Sequence, residues 1–125
     1  MNTQNLARRA YGQVAAPTRT PRGTEYEVIA RITHRLKTGA LKGKIGFPAL
    51  AAALNENRTL WSTLAVEVAN PKNPLPADLR ARIFFLAEFT LTHTSKVLAG
   101  TGSVSTLIEI NTAIMRGLRG KGQTS

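Results

Sequence analysis

Leu50, Leu54, Asn57, Trp61, Leu64 and Val68 follow one another at steps of 4, 3, 4, 3 and 4, a heptad seam held for nearly three repeats. Such spacing commits the segment to a helix with one side packed along its neighbours. The helix is expected from Phe47 or Pro48 to Ala69. It cannot run further, because Pro71, Pro74 and Pro76 fall within the next seven residues. Proline has no N–H to donate and its ring clashes with the preceding turn. A long amphipathic helix with a hard stop needs other helices to cover it.

The rest of the chain supplies them. A first helical pattern spans about Gln4 to Ala16, with Leu6, Ala10 and Val14 on one side, and Pro17 stops it. A second begins near Pro21 or Thr24. Thr24 and Glu27 have capping-box spacing, while Thr20 is an alternative cap before a proline at the first helical position. Its stripe is Tyr26, Ile29, Thr33, Leu36 and Ala40, with Ile32 adjoining. Gly39, Gly43 and Gly46 then suggest that KTGALKGKIG is a basic loop. After PKNPLP, a helix opens with Pro76 near its first turn and Asp78 where a carboxylate complements the dipole. Its stripe reads Leu79, Ile83, Leu86, Thr90, His93 and Val97, and Gly100 is a natural end. The last helix is expected from Ser103 to Leu118, capped by Ser103 or Ser105, with Leu107, Ile110, Asn111, Ile114 and Leu118 inward. No segment alternates with period two for long enough to form a strand. The expected fold is all-α, one small bundle of four to five antiparallel helices filling residues 1–125, with 1–3 and 120–125 frayed.

Seventeen basic residues face seven acidic ones, a net charge of +10. An excess of this size points to nucleic acid, a membrane surface or an acidic partner, or to a solvated surface and nothing more. The densest group is Arg31, Arg35, Lys37, Lys42 and Lys44, a candidate anion-binding site. There is no cysteine, which excludes disulfides and thiolate chemistry and fits a reducing, cytoplasmic setting. Arg8 and Arg9 precede no apolar h-region, so no secretory signal is expected. The longest strongly apolar run, Ile83 to Ala87, is far too short to enter and span a bilayer.

Catalytic chemistry is not expected. His34 and His93 have no second ligand at a metal-binding spacing, the seven carboxylates are dispersed, and no phosphate-binding loop or nucleophile elbow occurs. No cofactor or metal is implied. The unusual residues are amides. Asn57 interrupts the seam, and Asn111 does the same on the last helix. The two could face each other as a polar clamp inside the bundle, each could instead hold a loop, or the seam is exposed and receives a partner helix. The fourth pattern also carries more apolar surface than a single stripe requires, in Phe84, Phe85, Phe89 and Leu91. It is therefore either a central helix covered on all sides or one wall of a binding groove.

NENRTLW, LAVEVANPKNPLPADLRARI, LAEFTLTHTSKVLAG and LIEINTAIMRGLRG resemble the FlaF family of alphaproteobacterial flagellar biosynthesis regulators. The likeness runs from about Ala7 to Gly120. Its most specific elements are Asn57, Arg58, Leu60 and Trp61, followed by Asn73, Pro74, Leu75 and Pro76. The resemblance implies a small, non-enzymatic, cytoplasmic all-α protein that serves flagellin synthesis and export in a chaperone-like way. Its implied partners are flagellin and the regulator FlbT. The alternative is a regulator that contacts flagellin messenger RNA directly through its basic surface. The first motif is read as polar clamp and aromatic anchor, the second as a rigid turn.

Overall fold

The computed structural model describes the backbone of residues 21–124 and the side chains of 26–117. The helical pattern at Gln4–Ala16 lies outside the described residues, as does the fraying expected at 1–3. Four α-helices and no strand occur among the described residues. They are α1 (Pro21–Leu41), α2 (Phe47–Ala69), α3 (Ala77–Leu98) and α4 (Val104–Thr124), with a 3-10 turn at Gly43–Gly46 between the first two. Short connections make successive helices antiparallel. α2 lies between α1 and α3, α4 packs on the other side of α1, and α3 meets α4 only lightly. The all-α bundle read from the sequence is the observed fold.

Most of the core comes from two helices. α1 contributes Val28, Ile29, Ile32 and Leu36, and α2 contributes Ala53, Leu54, Leu60 and Trp61. α3 adds Ala87 and α4 adds Leu107. The seam of α2 is inward as expected, with Leu54, Asn57, Trp61 and Val68 buried and Leu50 and Leu64 half-buried at its margins. Leu60 and Thr63 are buried beside it, because α2 is covered on more than one side.

Three expectations change. Regular structure does not break at Gly39: α1 continues to Leu41 and the loop shrinks to a tight turn. A Cβ on Gly39 would stand 2.9 Å from Leu50 Cα, so the glycine is there to bring α1 against the backbone of α2. The inward line of α3 is also rotated from the predicted stripe. Ala87, Thr90 and Thr94 are its buried residues, while Leu79, Ile83, Leu86, His93 and Val97 sit half-buried on the flanks. Small side chains let α3 approach α2 closely, which leaves larger ones at the edges. Last, α4 runs past its expected end at Leu118 to Thr124.

Helix ends follow local chemistry. α1 starts at Pro21, the alternative with proline in first position. Pro76 precedes α3 and Asp78 stands in its first turn. Ser103 Oγ accepts from the N–H of Ser105 at 3.2 Å, capping α4.

Candidate functional site

Asn57 and Asn111 do face each other. Asn111 Nδ2 donates to Asn57 Oδ1 at 2.8 Å and to Thr33 Oγ1 at 3.1 Å. Trp61 Nε1 donates to Asn111 Oδ1 at 2.9 Å. Thr33 in turn donates to the carbonyl of Ile29 one turn back, at 2.7 Å. All four side chains are buried. Three helices are thus tied at one level by a polar cluster inside an apolar core, where each bond gains from exclusion of water. Asn57 Nδ2 has no partner there. Trp61 is the aromatic anchor, and the exposed-seam alternative does not hold. Arg58 is half-buried on the same helix.

The second motif is a built turn. Asn70 Oδ1 accepts from Lys72 N–H and Asn73 Oδ1 from Leu75 N–H, two Asx turns in succession. Asn73 Nδ2 donates to Glu67 O at 3.1 Å, tying the turn to the end of α2. Pro74 is exposed, Leu75 half-buried and Pro76 exposed. Arg80, on the first turns of α3, donates to the carbonyls of Leu75 at 3.2 Å, Asn70 at 3.2 Å and Val68 at 3.5 Å. Those are acceptors a helix end and its following turn leave open. Nothing in the local sequence pattern had singled out Arg80. Its place a few residues after a helix stop was the available signal.

The basic group is divided. Arg31 and Arg35 both hold Glu56 on α2, the first at 3.2 Å and the second in closer contact. Their charge is partly matched inside the protein. Lys37, Lys42 and Lys44 are exposed near the end of α1 and in the turn that follows. The sequence-named cations therefore do not act as one set.

The aromatic residues of α3 lie outside. Phe85 is 67% exposed and Phe89 41% exposed, Phe84 is also exposed, and Leu91 is half-buried. A helix covered on all sides would have hidden them. Phe89 stacks on His93, with ring centroids 5.5 Å apart and planes 9° from parallel. His93 Nε2 donates to Ser103 O at 2.8 Å, which fixes the imidazole and so the stack. His93 is accordingly a satisfied boundary residue. No group of three potential metal-ligating side chains occurs among the described residues.

A family model described as "Flagellar protein FlaF" matches residues 7–118. The chain belongs to the FlaF family. FlaF membership makes it a protein of the flagellar system, and both motifs that carried the likeness fall within the match. In this FlaF chain Asn57 and Trp61 lie in the buried polar cluster, and Asn73–Pro76 lie in the turn between α2 and α3. No curated protein and no solved structure matches the chain.

Proposed function

We propose that this FlaF protein binds unassembled flagellin and so couples flagellin synthesis to its secretion, as an export-chaperone-like regulator without catalytic activity that works in the cytoplasm. Exposure of Phe85 and Phe89 on α3 carries the reading. Aromatic side chains on the outer side of this helix present apolar surface that the bundle does not use. Flagellin termini form amphipathic helices that pair only in the filament. One such helix laid along α3 would cover Phe84, Phe85, Phe89 and Leu91 by the helix-in-groove mode. FlbT would then act alongside, reading whether flagellin is engaged. Direct contact with flagellin messenger RNA is less well supported, since Arg31 and Arg35 are engaged by Glu56.

Isothermal calorimetry with purified unassembled flagellin tests the reading. Wild-type protein is expected to bind at micromolar concentration or tighter. Phe85→Asp and Phe89→Asp should each weaken binding by at least about 30-fold, the effect of losing a central aromatic contact. Phe85 is exposed enough for its variant to remain folded, which circular dichroism checks. No binding by wild type, together with salt-sensitive binding to flagellin messenger RNA, would replace this reading with the nucleic-acid one.

A further inference from the structure

The turn between α1 and α2 holds a second apolar surface far from any role in packing. Leu41 is 88% exposed and Ile45 92% exposed, and Phe47 beside them is also exposed. These are among the most apolar side chains in the chain, and Leu41 and Ile45 stand almost wholly in water. Within residues 37–47 they alternate with Lys37, Lys42 and Lys44, and no acidic residue occurs in that stretch. All three lysines are exposed.

The turn is shaped to keep them outward. Gly43 has φ +61°, a left-handed conformation that glycine adopts without strain. A Cβ on Gly46 would lie 2.5 Å from Lys42 Cβ and 2.6 Å from Gly39 O, so the chain folds back on itself without room for a side chain. Lys42 N–H closes onto Gly39 O at 3.3 Å. With the ends of α1 and α2 in such close approach, Leu41 and Ile45 have no inward position to take.

We propose that this tip is a membrane-surface contact, in which Leu41, Ile45 and Phe47 enter the interfacial region of an anionic bilayer while Lys37, Lys42 and Lys44 meet the lipid phosphates. Nearly complete exposure makes the tip convex, unlike a groove for a partner helix. The two most exposed apolar side chains, Leu41 and Ile45, are branched aliphatics that offer bases no ring to stack on, and Phe47 is the one aromatic at the tip, short of the succession of rings on which single strands stack. A headgroup boundary accepts both kinds of side chain at once: the apolar ones dip below the phosphates and the ammonium groups stay level with them. The protein would lie on the bilayer, not across it; among the described residues no helix is long and apolar enough to cross a membrane. This site shares no residue with the α3 surface, so the two proposals stand or fall separately.

Co-sedimentation with vesicles of phosphatidylcholine, with and without phosphatidylglycerol, provides the test. Wild type is expected to partition at least about tenfold more strongly onto the anionic vesicles. Lys42→Gln with Lys44→Gln should lower that partition about tenfold, and so should Leu41→Ser with Ile45→Ser. Phe85→Asp should leave it unchanged. No partition of wild type onto anionic vesicles would overturn the proposal. So would unchanged binding by the Leu41→Ser/Ile45→Ser variant, which would reduce the effect to unspecific charge. Messenger-RNA binding lost in the lysine variant, with vesicles ignored by wild type, would make the tip a nucleic-acid surface instead.

Discussion

The indole N–H of Trp61 donates to Oδ1 of Asn111 at 2.9 Å, joining α2 to α4 where no water reaches either side chain. The bond makes a tryptophan, not merely a large ring, the residue that fits. Trp61→Phe keeps most of the apolar contact but strands the Asn111 carbonyl, and should cost about 1–3 kcal/mol. Trp61→Ala adds a cavity and should cost about 3–5 kcal/mol. Urea unfolding followed by circular dichroism gives both values, and a near-neutral Trp61→Phe would show that the hydrogen bond contributes nothing.

The two buried amides are not equivalent. Asn111→Leu leaves Trp61 Nε1 without its acceptor and Asn57 Oδ1 without its donor, so a loss of about 2 kcal/mol or more is expected. Asn57→Leu removes one acceptor together with an amide nitrogen that already lacks a partner. Asn111 Nδ2 keeps Thr33. Asn57→Leu should therefore stay within about 1 kcal/mol of wild type, in either direction. Measured midpoints in the reverse order would mean that Asn57, not Asn111, is the centre of the cluster.

Arg80 should matter more than other surface arginines. Arg80→Met removes its bonds to the carbonyls of Val68, Asn70 and Leu75 and is expected to cost about 1–2 kcal/mol. Arg80→Lys should recover little of this, because an ammonium cannot address several acceptors through a planar fork. Hydrogen exchange of the amides of Asn70, Lys72, Asn73 and Leu75 is expected to quicken in both variants. Arg82→Met, on an exposed position of the same helix, serves as the comparison and should change neither quantity.

Two helical glycines should respond with opposite sign. Gly39→Ala forces a methyl against the backbone of Leu50 and should destabilise by about 1–3 kcal/mol. Gly117 has nothing near its Cβ direction, so Gly117→Ala should stabilise by about 0.5–1 kcal/mol through helix propensity alone. Thermal unfolding of the two variants separates close packing from propensity, and a stabilising Gly39→Ala would contradict the tight α1–α2 approach.

Much of this molecule was determined by sequence alone. Apolar periodicity and the proline stops gave an all-α bundle, and α2 begins and ends where the seam and Pro71 require. Asn57 and Asn111 stood out because an amide on an apolar stripe must find a partner, and their pairing was one of three open readings. Tertiary structure decided what local pattern does not contain. Gly39 reads as a helix breaker until the backbone of Leu50 is found against it. Arg31 and Arg35 read as free cations until α2 brings Glu56 between them. Phe85 and Phe89 fit a buried helix as well as an exposed one, since periodicity gives a helix an apolar side but not the number of neighbours that cover it. On α3 the small residues Ala87, Thr90 and Thr94 take the inner line, because close approach of two backbones outweighs the burial of larger side chains at that line. The aromatic rings are left at the surface for that reason, and no count of hydrophobic residues along the helix would have placed them there.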